Sequence, residues 1–165
     1  MAKLRSVKGT HDILPDDLYP WSHIEKVIHK VMRQYGYGEI RTPAFENTEL
    51  FVRGIGTETD IVNKEMYSWE DQGGNNLTLK PEMTAPVVRS YLQHQLGNTN
   101  PLNRLYYIDA LFRRERPQKG RQRQFHQFGV EAIGSPHPEQ DAEIISMAFN
   151  IFSNNFGLEN LEVRL

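Results

Sequence analysis

FRRERPQKGRQRQFHQFGVE, residues 112–131, gathers six of the nineteen cationic side chains of this sequence between Arg113 and Arg123. Side chains on a strand alternate between faces with period two. If the stretch is a hairpin, Arg113 and Glu115 share one face of the outgoing strand. Phe125, Gln127, Gly129 and Glu131 then share one face of the return strand, and the opposite face carries His126, Phe128, Val130 and Ala132, a mostly apolar set suited to a core. The outgoing strand is RLYYIDALFRRE (104–115) and the return strand FHQFGVEAIG (125–134). A long hairpin of this kind does not belong to a βαβ alternation.

Outward from the hairpin, MYSWED (66–71) and NLTLK (76–80) flank QGGN, whose glycines allow a tight connection, so a second hairpin is expected. EIRTPAFE (39–46) reads as a short strand that Pro43 confines to an edge or interrupts. Trp21, Ile24, Val27, Ile28, Val31, Met32 and Tyr35 recur at helical spacing, with Gly36 and Gly38 as the stop and Trp21 and Tyr35 expected in the core. Thr84 is placed to cap a helix that carries Pro86 in its first turn, runs to about Leu96 and closes at Gly97. A last helix starts near Pro138, shows Ala142, Ile145, Phe149, Phe152 and Phe156 on one stripe, and ends at Gly157. The first twenty residues read as an extended lead-in. This order predicts an α+β fold, an antiparallel or mixed sheet with helices packed on one side. The last five residues, LEVRL (161–165), are strand-like, which leads us to expect a truncated domain.

At 165 residues the chain suffices for one well-buried domain. Net charge is −2, yet the segment from Arg113 to Arg123 holds six positive charges and one negative, leaving the remainder distinctly acidic. A local anion site is indicated, not a general attraction to nucleic acid. Cysteine is absent, which excludes disulfides and cysteine-ligated metals and fits a reducing compartment. No signal peptide and no run of about twenty apolar residues is seen, so the expected location is cytoplasmic, with no membrane partner. RGIGTETD (53–60) has threonine at position 59 and fails the dinucleotide fingerprint. His23 and His29 do not share a helical face, and no metal site is expected.

A nucleotide cradle needs cations for phosphates, a flat apolar surface for the base and a polar group to read its edge. Arg113 offers a bidentate fork, Phe125 a stacking face and Glu115 an acceptor for an exocyclic amine. Arg116, Lys119, Arg121 and Arg123 lie on the connection, able to fold over distal phosphates. LTLKPEMTAP (77–86) is a second candidate, because Glu82 and Thr84 bring a carboxylate and a hydroxyl to the start of a helix. The plainer alternatives are a solvated basic tip for the first stretch and helix capping for the second.

The hairpin together with LTLKPEMTAP resembles histidyl-tRNA synthetase, a class II aminoacyl-tRNA synthetase, supported by KGTHDILP (8–15), YGYGEIRTPAFE (35–46) and TDIVNKEMYSWED (59–71). YGYGEIRTPAFE resembles motif 1, which in this family forms a homodimer interface, and residues 112–131 resemble motif 2. The resemblance implies a class II antiparallel sheet flanked by helices. It implies ATP with Mg2+, L-histidine and tRNA(His) as co-substrates or partners. It assigns the α-phosphate and the substrate carboxylate region to Arg113, which makes Arg113 the catalytic residue. The adenine amino group goes to Glu115, the adenine face to Phe125 and a distal phosphate to Arg121. Histidine binding falls to Glu82, Met83, Thr84, Arg113, Gln127 and Glu131, with Glu131 accepting from the imidazole and Met83 standing where some relatives have glycine. The resemblance further implies that residues 1–165 form a partial catalytic domain without motif 3 or an anticodon-binding domain, with little aminoacylation on its own. Two other functions stay open. One is a synthetase-like regulatory subunit of ATP phosphoribosyltransferase, the other a basic-hairpin RNA-binding module.

Overall fold

The glycines and prolines that punctuate the sequence mark most of the element ends. The computed structural model describes residues 3–56, 59–116 and 118–164. Met1 and Ala2 of the lead-in, Thr57 and Glu58 of RGIGTETD, Pro117 of the basic hairpin and Leu165 of LEVRL lie outside the described residues. A 3₁₀ turn, Pro15–Asp17, leads into α1 (Leu18–Gln34), followed by β1 (Gly38–Glu39), β2 (Phe45–Asn47) and α2 (Thr48–Ile55). A π-helical turn, Ile61–Glu65, precedes β3 (Tyr67–Glu70) and β4 (Asn76–Leu79). Then come α3 (Thr84–Gln93), the short α4 (Leu96–Thr99), β5 (Asn103–Phe112), β6 (Gln124–Ile133) and α5 (Pro138–Asn150), which continues as a π-helical turn, Ile151–Asn155. The fold is α+β. The residues gather into two compact units, Met1–Ile13, Arg41–Leu96 and Ile108–Gln127 in one, and Leu14–Ile40, Gly97–Tyr107 and Phe128–Leu165 in the other.

The first unit is built on an antiparallel sheet of order β2-β4-β3, in which Leu79 lies between Phe45 and Tyr67, and Leu77 between Asn47 and Trp69. Its hairpin turn closes as QGGN predicts. The Asp71 carboxylate accepts from the Gly73 and Asn75 amides at 2.8 Å, and Gly74 takes the positive φ of 80°. Thr78 is fully buried, and its hydroxyl is satisfied by Thr48 Oγ1 at 2.8 Å and Ser68 Oγ at 2.7 Å. Phe51, Met83, Val87 and Leu111 form the apolar core around it. Helix α2 does not emerge from the sequence pattern because Gly54 sits inside it. A Cβ at Gly54 would come within 3.1 Å of the Ala85 Cβ, so the glycine permits α2 to approach α3 closely.

In the second unit β1 pairs in parallel with β5, Gly38 opposite Leu105 and Glu39 opposite Tyr106. Its core is Ile28, Val31 and Met32 of α1, Tyr37, Tyr106, Tyr107, Met147 and Ile151. The larger sheet has the order β1-β5-β6.

Several expectations are corrected. EIRTPAFE is interrupted around Pro43 as expected, but the break spans residues 40–44 and leaves β1 and β2 at the edges of two different sheets. Trp21 and Tyr35 are only half-buried, and Tyr37 takes the core position instead. No residue of β6 is fully buried and His126 is exposed, because β6 is the edge of its sheet and lacks a neighbour on one side. Helix α3 stops at Gln93, since Gln95 adopts φ 52° before Gly97 is reached. On α5 the buried residues are Gln140, Met147 and Ile151, whereas Ala142, Phe149 and Phe152 are exposed. The buried Gln140 is satisfied by its side-chain amide, which donates to the Tyr37 hydroxyl at 3.0 Å and to Glu143 at 2.9 Å. Residues 161–164 form no strand.

Candidate functional site

The base of the basic hairpin is clamped by three backbone segments of the first unit. The Phe112 amide donates to the Lys80 carbonyl at 3.0 Å, the Arg114 amide to Glu65 at 2.6 Å, and the Arg123 amide to Gly9 at 2.7 Å. Arg113 itself pairs across the hairpin, its amide donating to the Arg123 carbonyl at 2.9 Å. The side chains at this base are therefore better placed than those of a free loop.

Arg113 Nε donates to the Pro81 carbonyl at 2.9 Å, and its guanidinium stands 5.2 Å from the centroid of the Phe125 ring. That is the geometry of a cation–π contact. The Glu115 carboxylate is largely covered and accepts from Arg121 Nη1 at 3.1 Å. Arg113, Glu115, Arg121 and Phe125 line one hollow of about 550 Å³, together with Glu65, Gln122 and His126. The four residues assigned to ATP by resemblance thus converge. Glu65 and His126 are functional candidates that sequence reasoning misses. Glu65 comes from an irregular π-helical turn that carries no clear periodic signal, and His126 falls on the face that alternation gives to the core. At the start of an edge strand, adjacent residues Phe125 and His126 both reach the hollow.

Glu82 caps α3. Its carboxylate accepts from the Thr84 amide at 2.7 Å and the Ala85 amide at 3.0 Å, near the positive end of the helix dipole. Thr84 is the first helical residue, and the cap position falls on Met83, whose side chain makes no capping bond. Glu82 and Thr84 line a second hollow of about 680 Å³ between α2 and α3, whose other walls include Leu50, Ala85, Val88 and Leu92. Met83 is buried, its sulfur 3.8 Å from the Thr42 hydroxyl, so it packs into the core and its side chain does not line either hollow. Gln127 and Glu131 also line neither hollow. Both are half-buried on β6, Gln127 in the first unit and Glu131 in the second. Beside the Phe112–Lys80 backbone bond, the Glu82 segment is linked to the hairpin by the Pro81 carbonyl that Arg113 holds. Among the described residues, no helix is long and apolar enough to cross a membrane, and no three metal-ligating side chains form a group.

A family model described as histidyl-tRNA synthetase matches residues 9–165. The histidine–tRNA ligase of Chloroherpeton thalassium is 53% identical over 164 residues, 99% of this chain and 38% of that protein. The histidine–tRNA ligase of Thermosipho africanus is 53% identical over 161 residues, covering 98% of this chain and 38% of its own length. Among solved structures, apo histidyl-tRNA synthetase of S. aureus aligns with a TM-score of 0.79 at 42% identity, over 95% of this chain and 36% of that one. A Bacillus halodurans protein described as an ATP phosphoribosyltransferase regulatory subunit/histidyl-tRNA synthetase aligns with a TM-score of 0.78 at 28% identity, over 97% and 40%. The chain spans about 38% of the length of the curated relatives it matches.

Proposed function

This chain belongs to the histidyl-tRNA synthetase family, and on that premise we propose that it is part of the catalytic domain of a histidine–tRNA ligase, carrying motifs 1 and 2. The observation that supports the reading most directly is the hollow in which Arg113, Glu115, Arg121 and Phe125 meet. In the proposed complex, adenine stacks on Phe125 with its amino group donating to Glu115. Arg113 leaves the ring face for the α-phosphate, and Arg121 exchanges Glu115 for a distal phosphate. Each cation thereby trades one partner for another, so neither is left unpaired.

The resemblance gives the histidine ammonium to Glu82, Thr84 and Gln127 of the first unit and, separately, the imidazole to Glu131 of the second. An acceptor that hydrogen-bonds the imidazole discriminates against an apolar side chain, which cannot donate to it. The histidine carboxylate attacks the ATP α-phosphorus, giving histidyl-adenylate and pyrophosphate, and the acyl group then passes to the 3′ end of tRNA(His). No general base is required, since the carboxylate is ionised at neutral pH. Arg113 would stabilise the charge that develops on the α-phosphate oxygens. Mg2+ typically rides on substrate phosphates with one or two protein carboxylates. Glu65, in the same hollow, is the residue that would hold it, and the ion would supply charge neutralisation there. The complete reaction, the homodimer through motif 1 and the cytoplasmic location are assigned to the longer protein that the relatives' length implies.

Calorimetric titration with a non-hydrolysable histidyl-adenylate analogue and its leucyl counterpart tests this reading. Selective binding of the histidyl form that Glu131→Ala abolishes is the expected result, and equal binding of both forms would overturn it. The likeness to the Bacillus halodurans protein favours one second reading, a regulatory subunit that senses histidine. A regulator needs the histidine pocket and not the ATP set, so ATP binding that Phe125→Ala removes separates the two.

A further inference from the structure

Lys80 stands two residues before Glu82 and is 2% exposed. Its ammonium reaches Asp109 Oδ2 at 2.5 Å, the Thr42 carbonyl at 3.2 Å and Thr42 Oγ1 at 3.5 Å, so the direction of the side chain is set by acceptors on two sides. The other oxygen of Asp109 accepts from the Ala110 amide at 2.8 Å, which fixes the carboxylate in turn. The peptide around Lys80 is equally held, with its amide donating to the Ala44 carbonyl and its carbonyl accepting from the Phe112 amide, both at 3.0 Å. The next carbonyl, Pro81, holds Arg113 Nε, and the next side chain, Glu82, caps α3. All of these groups lie in the first unit.

An ion pair whose cation is buried while its carboxylate keeps a quarter of its surface exposed is a poor device for stability alone, because desolvation of the ammonium offsets the attraction. What such a pair adds is direction. We propose that Lys80 and Asp109 form a positioning pair, which holds the Lys80–Glu82 peptide against β5 so that the Pro81 carbonyl aims the Arg113 guanidinium and Glu82 meets the helix start. The substrate is the one of the proposed function, and the inference rests on that reading of Arg113 and Glu82 as ligand-binding groups. Neither Lys80 nor Asp109 needs to touch substrate. They act through the Pro81 carbonyl, as groups behind a binding site orient the residues that touch a ligand.

The test is the double variant Lys80→Met with Asp109→Leu, which removes both charges together and leaves no unpaired ion. Three readouts are taken on the chain: the thermal midpoint, the exchange rate of the Arg113 Nε–H by NMR, and calorimetric affinity for the histidyl-adenylate analogue. A positioning role predicts a folded variant in which Arg113 Nε–H exchange is about ten-fold faster and the analogue binds about ten-fold more weakly, the size of one charge-assisted hydrogen bond lost. An unchanged Arg113 exchange rate in the folded double variant overturns the proposal, since the pair would then serve stability alone. If the double variant does not fold, Asp109→Asn takes its place, and faster or unchanged Arg113 exchange supports or overturns the proposal in the same way. Absence of analogue binding in the unaltered chain, with Arg113 exchange still responding to the variant, would sink the functional reading and leave the positioning role standing. Binding in the unaltered chain with an unresponsive Arg113 would do the reverse.

Discussion

Glu82 shows how one side chain can serve two ends. Its carboxylate accepts two amides of α3, so Glu82→Ala is expected to cost about 1 kcal/mol by urea denaturation, the usual value of a lost N-terminal cap. The residues alone place a carboxylate and a hydroxyl at this helix start but assign the cap to Thr84, because serine and threonine are common there. Which oxygen reaches the amides depends on the backbone at Met83, whose φ of −111° no composition rule supplies. Tyr37 is a second case. Burial, and after it the nearby Glu143 carboxylate, push its hydroxyl above the ordinary value of 10.0. The native state therefore binds more protons than the unfolded chain above that pH, and stability is fully present below about pH 10 and falls as pH rises further. Tyr37→Phe should flatten the alkaline part of a stability-against-pH curve. An unaltered slope would show that other groups carry it.

At the scale of elements, the hairpin of β5 and β6 is legible from period-two alternation, and the residues assigned to ATP do converge in one hollow. The edge position of β6 is not legible, because burial depends on which strands arrive beside it. Alternation therefore places His126 in a core that the edge strand does not have. It also places Gly129 on a ligand face, but a Cβ there would collide with the Tyr107 hydroxyl. Gly129→Ala is expected to cost about 1–3 kcal/mol through overpacking, read as a lowered thermal midpoint. The Arg121–Glu115 pair is a different matter, since Arg121 is mostly exposed and such pairs contribute about 0–1 kcal/mol. Arg121→Ala should leave the thermal midpoint nearly unchanged while weakening ATP binding.

For the whole molecule, a net charge of −2 with a basic hairpin limits what the chain can do electrostatically. Any non-specific RNA binding through Arg114, Arg116 and Lys119 should fall steeply between about 50 and 200 mM salt, as counterion release requires. Binding of the histidyl-adenylate analogue should survive that change, and RNA retention that outlasts analogue binding would favour the RNA-module reading. Periodicity, glycine and proline positions, and the order of motifs in the residues alone were enough for the α+β class, both hairpins, α1 and α5, and the family. They carry that information because alternation and breakers are local, expressed within a few residues. The split of EIRTPAFE between two sheets, the burial of Gln140 on α5 and the pairing of buried Lys80 with Asp109 were decided only in the tertiary structure. Each depends on a partner distant in sequence, Leu79 for Phe45, Tyr37 for Gln140 and Asp109 for Lys80, and a local pattern does not encode which distant group arrives.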